Sequence, residues 1–150
     1  MSDLQEKSGL QHRSASPSHV PKPNVLIVDD LPGNLLSLQA LVQDLGYNPV
    51  LANSGSEALK RLLESEFACV LLDLRMPGID GLETAALIRK RKSHKDLPLI
   101  FLTSGEPSLV ELSQGYSLGA VDFLLRPVDA EILKSKIRAR SEERRVGKEC

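Results

Sequence analysis

Five short apolar runs recur along the chain, and each is followed by a segment whose apolar residues are spaced as on one face of a helix. The runs are VLIVDD (25–30), NPVLA (48–52), ACVLL (68–72), PLIFLT (98–103) and VDFLL (121–125). The first, third and fourth are apolar at consecutive positions, which is typical of parallel strands that helices cover on both faces. Five strand–helix units in succession therefore predict an α/β fold with a doubly wound, five-stranded parallel sheet.

The same pattern predicts details of the helices. After the first strand, apolar residues at three- and four-residue spacing end at Gly46, which marks the end of a helix. Pro107 is expected in the first turn of the fourth helix. In the fifth helix, Ile132, Leu133 and Ile137 are expected to face the sheet.

Composition divides the chain into three parts. Residues 1–23 are rich in Ser, Pro and His without a period, and they cannot bury enough apolar surface to offset their ordering entropy. We predict that they form a disordered N-terminal tail and that residues 24–139 form one domain. The last residues, RSEERRVGKEC (140–150), look like the translation of a sequencing adapter. We therefore expect a non-native tail there, and a natural protein that continues past residue 139 into an output domain.

Charge and cysteine content narrow the classes of function. The net charge is −1, which gives no basic field for nucleic acid. No apolar run approaches the roughly 20 residues of a membrane span, and residues 1–23 lack the apolar stretch of a signal peptide. Cys69 lies in a core strand and Cys150 ends the chain, so no disulfide framework is expected. We expect a cytoplasmic protein with no membrane and no direct nucleic-acid binding.

Carboxylates follow two of the predicted strands. Asp29 and Asp30 close the first strand and Asp73 closes the third. In the strand order 2-1-3-4-5, which we predict for this sheet, these ends are neighbours at the switch point where α/β sheets bind ligands. Each of these acids, taken singly, could equally be the cap of the helix that follows it. Two unit charges about 4 Å apart, however, repel by about 4 kcal/mol at an effective dielectric constant near 20. Three acids together therefore predict a bound cation, and hard oxygen ligands favour Mg²⁺.

Two other strands bring further groups to the same edge of the sheet. Thr103 closes the fourth strand with a hydroxyl, and Arg126 follows the fifth strand with a positive charge. Asp73 is a candidate nucleophile, because a carboxylate can form an acyl phosphate. A magnesium ion and a guanidinium would stabilise charge on the transferring group. These residue types together predict a phosphoryl-transfer site.

The motifs VLIVDD, LLDLRMPGIDG, PLIFLTS and DFLLRP, in that order, resemble the receiver domain of bacterial two-component response regulators over residues 24–139. The resemblance implies a flavodoxin-like fold and a phosphorelay function, in which Asp73 accepts a phosphoryl group from a histidine kinase or phosphotransfer protein. It implies that Asp30 and Asp73 bind Mg²⁺ directly with the Arg75 backbone carbonyl, and that Asp29 acts largely through water. The Arg75 side chain is not expected to contribute.

The resemblance also implies a switch. Thr103 would contact the phosphoryl oxygens and move with them, and Phe123 on the fifth strand occupies the aromatic switch position. Phe123 is equally explained as a core aromatic. The face of helix 4, strand 5 and helix 5 would carry the signal to a partner or to a second copy in a homodimer. Such a domain catalyses only its own phosphoryl transfer and dephosphorylation, so we expect no enzyme within residues 24–139.

One position departs from the family pattern, because Arg126 stands where the family has a lysine before the proline. Arginine keeps the charge and can bind phosphate through two N–H groups, but it is bulkier. A phosphoacceptor and a phosphorylation-independent pseudo-receiver that binds proteins both stay open. Nucleotide- or flavin-binding enzymes are disfavoured, because the loop DDLPGN after the first strand is not a glycine-rich phosphate loop. By analogy with the family, the Arg126–Pro127 peptide is expected to be cis.

Overall fold

The computed structural model describes residues 21–149, with side chains described up to residue 140. The strands are β1 (Asn24–Val28), β2 (Asn48–Ala52), β3 (Cys69–Asp73), β4 (Leu99–Thr103) and β5 (Val121–Leu125). The helices are α1 (Pro32–Asp44), α2 (Gly55–Glu64), α3 (Gly81–Arg89), α4 (Leu109–Tyr116) and α5 (Ala130–Glu149), with a 3₁₀ turn at Lys92–His94. The strands pair in parallel in the order β2-β1-β3-β4-β5. The predicted doubly wound sheet and its strand order are confirmed.

The sheet is covered on both faces because successive side chains of a strand point to opposite sides. In β1, Leu26 and Val28 join the core under α2 and α3, whereas Val25 and Ile27 join the core under α1 and α5. The strands β1, β3 and β4 are almost wholly buried. Cys69 is one of these core residues, and burial raises the pKa of its thiol to about 12. Its predicted role in packing agrees with this position.

Side-chain caps begin α2, α3, α4 and α5 and thereby position the loops at the carboxyl edge of the sheet. At α5, Asp129 Oδ1 accepts a hydrogen bond from the Ile132 N–H at 3.0 Å. Ser54 accepts a hydrogen bond from the first turn of α2, and Asp80 and Ser108 form capping boxes at α3 and α4. The predicted place of Pro107 was wrong by two positions. Pro107 precedes the Ser108 cap and lies outside the first turn of α4.

The inner face of α5 also differs from the prediction. Leu133 and Ile137 are completely buried, as expected, but Ile132 is 49 % exposed. Neighbouring positions on a helix are rotated by about 100°, so a helix that buries Leu133 turns Ile132 away from the sheet. The prediction that Ile132 faces inward was wrong.

The two predicted tails have different outcomes. The disordered tail falls mostly on residues 1–20, which lie outside the described residues, and residues 21–23 lead into β1 without regular structure. At the other end, α5 continues to Glu149, so the segment from residue 140 is helical as far as it is described. Its adapter origin stays a prediction. None of the described helices has the length and hydrophobicity needed to cross a bilayer.

Candidate functional site

The sheet brings the three predicted acids together. The register pairs Val28 with Leu72 on neighbouring parallel strands, so the residues that follow, Asp29 and Asp73, lie side by side at the carboxyl edge. Carboxylate oxygens of Asp29, Asp30 and Asp73 all lie within 4.8 Å of one another. Asp29 is fully buried, whereas Asp30 and Asp73 are partly exposed. This cluster therefore has one buried and two accessible carboxylates.

Asp29 is held by fixed partners. Its Oδ1 accepts a hydrogen bond from the Leu31 N–H at 2.9 Å, and its Oδ2 pairs with Nη2 of the Arg126 guanidinium. Arg126 has only 17 % of its side chain exposed. The Arg126–Pro127 peptide is cis. The structure thus brings Arg126 to the acid cluster, where sequence reasoning expected a cation, and its direct partner is the most buried of the acids.

Asp73 is crowded by like charge. Burial, followed by the negative charge of Asp29 and more weakly that of Asp30, raises the pKa of Asp73 from 3.8 to about 6. The Arg75 N–H, which donates to Asp73 Oδ1 at 3.3 Å, and the charge of Arg126 only partly oppose this. The ionised form of Asp73 is therefore less favourable than that of an ordinary aspartate, and a nearby cation would stabilise it.

The donor set suits a magnesium ion. Mg²⁺ binds hard oxygen ligands at about 2.1 Å in an octahedral sphere, so two opposite ligands are about 4 Å apart, and it usually keeps several waters. Carboxylate oxygens spread over 4.8 Å can reach one such ion, some directly and some through water. The unfavourable charge of Asp73 is relieved by a cation at the same place. Arg75 follows Asp73 by two residues, and its predicted carbonyl ligand stays a prediction.

Thr103 lies at the end of β4, beside the acid-bearing end of β3, and is 2 % exposed. Its Oγ1 donates a hydrogen bond to the Gly105 carbonyl at 2.7 Å. The same oxygen accepts one from Nη1 of Arg75, also at 2.7 Å. The hydroxyl thus lies at the end of β4, as the sequence predicted, but its hydrogen-bonding capacity is already used.

Sequence reasoning missed the contacts that the Arg75 side chain makes here, and the expectation that this side chain has no chemical role stays a prediction. Besides Thr103, its guanidinium contacts Glu111 of α4, with Nη2 and Oε1 at 2.9 Å. The contact with Thr103 could have been predicted from the strand order, since β3 and β4 are neighbours and their register pairs Asp73 with Leu102. A long basic side chain two residues after Asp73 can therefore reach the end of β4. The contact with Glu111 has no comparable sequence signal.

Phe123 is packed as a core aromatic, and its predicted role as a switch stays a prediction. Its ring is half-buried and packs on Phe101, with ring centroids 5.1 Å apart, and on Tyr116, at 5.3 Å. The position opposite is Gly115, where an added Cβ would lie 2.6 Å from the ring. The aromatic is thus a packed group next to an open surface. That surface, the α4–β5–α5 face, carries exposed apolar side chains at Leu109, Val110, Tyr116, Leu125 and Ile132.

Comparison with known proteins agrees with this geometry. Residues 25–138 match the family model of the response regulator receiver domain. The CAI-1 autoinducer sensor kinase/phosphatase CqsS of Vibrio cholerae is 35 % identical over 116 residues, which are 77 % of this chain and 17 % of that protein. The transcriptional regulatory protein ZraR of Escherichia coli is 34 % identical over 114 residues, 76 % of this chain and 25 % of that protein. The chain spans a quarter or less of the length of these two relatives.

Solved structures give the same result. A receiver domain protein from Methanospirillum hungatei superposes with a TM-score of 0.76 at 25 % identity, covering 84 % of this chain and 98 % of that one. A response regulator receiver protein from Pseudomonas putida gives a TM-score of 0.73 at 30 % identity, covering 80 % and 98 %. Receiver domains generally bind Mg²⁺ at an acidic pocket, and the Asp29–Asp30–Asp73 cluster has that character. The chain therefore belongs to the family of response regulator receiver domains of two-component signalling.

Proposed function

We propose that this domain is a phosphoacceptor: Asp73 takes a phosphoryl group from the phosphohistidine of a histidine kinase or phosphotransfer protein, in a reaction that depends on Mg²⁺. The observation that carries the proposal is the convergence of three carboxylates, with oxygens within 4.8 Å of one another, at the switch point of the sheet. Asp73 is the accessible carboxylate of β3, so it can meet an incoming phosphoryl group, whereas Asp29 is buried.

The chemistry follows from the residues around Asp73. A carboxylate oxygen of Asp73 attacks phosphorus, an O–P bond forms as the P–N bond breaks, and the imidazole of the donor leaves with the electron pair and takes up a proton. A bound magnesium ion supplies charge neutralisation for the phosphoryl oxygens. Thr103 stands at the end of the neighbouring strand with a hydroxyl that can turn towards those oxygens. Hydrolysis of the acyl phosphate then returns Asp73 to its carboxylate.

A specific contact favours a second candidate. Arg126 is bonded to Asp29 and both side chains are largely shielded from solvent, so the cation that stands in the place of the family lysine is already engaged. If this bond holds the remaining N–H groups of Arg126 away from the phosphoryl oxygens, the phosphoryl group lacks that partner. The second candidate is therefore a pseudo-receiver that binds proteins without phosphorylation.

Partners are proposed from the family and from the surface. Several matching proteins carry much more chain than this domain, and their names include a sensor kinase/phosphatase and a transcriptional regulatory protein. We propose that this receiver likewise works in the cytoplasm with a histidine kinase and with an output domain. The α4–β5–α5 face offers exposed apolar side chains for a partner or for a second copy of the domain.

Acetyl phosphate tests the proposal directly. Incubation of the purified protein with acetyl phosphate and MgCl₂ should add one base-labile phosphoryl group, seen by intact mass spectrometry, and EDTA should prevent it. Asp73→Asn should abolish the adduct. Asp96→Asn, which removes an exposed carboxylate from the loop before β4, should retain it. The absence of an adduct on the wild type, or an adduct that survives Asp73→Asn, would favour the pseudo-receiver.

A further inference from the structure

The Arg75 guanidinium links the candidate phosphorylation site to helix α4. One of its nitrogens, Nη1, donates to Thr103 Oγ1 at 2.7 Å, and the other, Nη2, pairs with Glu111 Oε1 at 2.9 Å. The Arg75 side chain is 52 % exposed and Glu111 is 23 % exposed. An exposed ion pair of this kind contributes little to stability, so exchange of partners costs little. The Arg75 guanidinium is thus hydrogen-bonded directly to the hydroxyl that is predicted to contact the phosphoryl group.

Thr103 cannot contact a phosphoryl oxygen without rearrangement. A hydroxyl has one hydrogen to donate, and Thr103 donates it to the Gly105 carbonyl. To reach a phosphoryl group on Asp73 the hydroxyl must turn, and this turn breaks the Gly105 bond. The Nη1–H of Arg75 that now points at Thr103 Oγ1 can then donate to the new anion, which is a far better acceptor than a neutral hydroxyl. A bidentate pair with the phosphoryl oxygens also uses Nη2, and this nitrogen must leave Glu111 to form it.

We infer that Arg75 binds the phosphoryl group on Asp73 and gives up Glu111 when it does so. The inference rests on the proposed phosphoacceptor function. Two observations distinguish Arg75 from the other nearby cation. Arg126 is bonded to the buried Asp29, which does not leave the site. The partners of Arg75 are a neutral hydroxyl and the partly exposed carboxylate of another element.

The exchange changes the start of α4. Glu111 Oε1 accepts from the Ser108 N–H at 2.9 Å as well as from Arg75, so one oxygen serves the capping box and the ion pair. When Arg75 leaves, this carboxylate keeps the cap but loses the cross-link to β3. The first turn of α4 is then released from the sheet edge while Leu109 and Val110, its exposed apolar residues, become free to reposition. The charge on Asp73 is in this way communicated to the α4–β5–α5 face.

Beryllofluoride, formed from BeCl₂ and NaF with MgCl₂, is a suitable probe because it adds to a carboxylate as a phosphoryl mimic and allows an equilibrium to be measured. Affinity is followed by ¹⁹F NMR for the wild type and for Arg75→Ala, Arg75→Lys and Glu111→Gln. Arg91→Ala removes an equal charge after α3, at the opposite end of the sheet, and serves as the control. Thermal melts establish that each variant is folded.

Distinct affinities are expected. Arg75→Ala should weaken beryllofluoride binding roughly tenfold or more, the equivalent of a charge-assisted hydrogen bond. Arg75→Lys should recover part of the loss, because lysine keeps the charge but not the planar fork. Glu111→Gln should tighten binding by about two- to fivefold, since it removes the competing carboxylate. That gain should vanish in the Arg75→Ala background, and Arg91→Ala should match the wild type.

The outcomes separate this inference from the proposed function. If the wild type takes up neither beryllofluoride nor the acetyl phosphate adduct, the phosphoacceptor function fails and this inference fails with it. If the wild type does both and Arg75→Ala binds with unchanged affinity, only the role of Arg75 is overturned. A loss in Glu111→Gln as large as in Arg75→Ala also overturns it, because Arg75 would then act only by fixing α4.

Discussion

Replacing Asp73 by asparagine is expected to stabilise the fold at neutral pH. Burial and the charges of Asp29 and Asp30 raise the pKa of Asp73 from 3.8 to about 6, whereas the unfolded chain ionises this carboxyl near its ordinary value. Because the pKa of Asp73 is raised in the folded state, the protonated carboxyl costs the wild type no stability below about pH 4. The wild type then loses free energy of unfolding as the pH rises through about 6 and Asp73 ionises in the folded domain. Asparagine has the same shape and a carbonyl that can accept the Arg75 N–H, but no charge.

The size of the effect follows from the pKa. A rise from 3.8 to about 6 corresponds to about 3 kcal/mol. Asp73 is partly exposed, so solvent screens the repulsion, and we expect a gain of about 1–2 kcal/mol for Asp73→Asn at pH 7.5. In a domain of this size that gain raises Tm by about 4–8 °C.

The assay is urea denaturation followed by circular dichroism in EDTA, at pH 4.0 and pH 7.5. The stabilisation by Asp73→Asn should be present at pH 7.5 and mostly gone at pH 4.0. Asp96→Asn changes charge equally at an exposed site and should shift stability by less than about 0.5 kcal/mol at either pH. Mg²⁺ at about ten times its Kd should stabilise the wild type by about 1.4 kcal/mol, and the asparagine variant by less.

A stabilisation by Asp73→Asn of equal size at pH 4.0 and pH 7.5 would contradict a raised pKa for Asp73, as would a loss of stability in this variant at pH 7.5. Either result means that Asp73 ionises as easily in the folded domain as in the unfolded chain. The packing of three carboxylates at the ends of β1 and β3 would then impose no electrostatic cost, and the need for a cation at this place would disappear.

Three further predictions concern packing and capping. Gly115→Ala should destabilise the domain by about 1–3 kcal/mol, because the new methyl would lie 2.6 Å from the Phe123 ring. The NMR signals of that ring should shift, and unchanged signals would contradict the close approach. Ser108→Ala should lower the free energy of unfolding by about 1 kcal/mol, because it removes the α4 cap. Urea denaturation midpoints measure this, and an unchanged midpoint would mean that the cap is not formed. Leu133→Ala should cost about 2–5 kcal/mol but Ile132→Ala less than about 1 kcal/mol, and equal costs would place Ile132 in the core.

The architecture was predictable because its strongest signal is local. Strands β1, β3 and β4 are apolar at every core position, and only a parallel sheet covered on both faces buries such strands. The sequence predicted less well which side chains of a helix face the sheet. Ile132 and Leu133 are adjacent and equally apolar, and only the packing of α5 on the sheet decides which of them is buried. The place of Pro107 was misjudged because Ser108 is the better cap.

The acid cluster was predictable for a topological reason. Parallel strands end at one edge, so residues that follow β1 and β3 meet there whatever their side chains do. Arg75 differs because its guanidinium lies at the end of a long flexible side chain that can reach several partners. Which partners it takes depends on the distance between the end of β4 and the first turn of α4, and that distance is a tertiary property.

The charges at the site favour two arginines rather than one. Three carboxylates face one bonded guanidinium, that of Arg126, and the remaining two negative charges match a single divalent ion. A phosphoryl group on Asp73 replaces one negative charge by about two, so the balanced site gains about one negative charge. Arg126 can supply no further positive charge, because its charge already offsets that of buried Asp29. Arg75 can, because it leaves behind only a half-shielded carboxylate at the start of α4 that the Ser108 N–H still satisfies. Charge balance and hydrogen-bond geometry thus select the same residue independently.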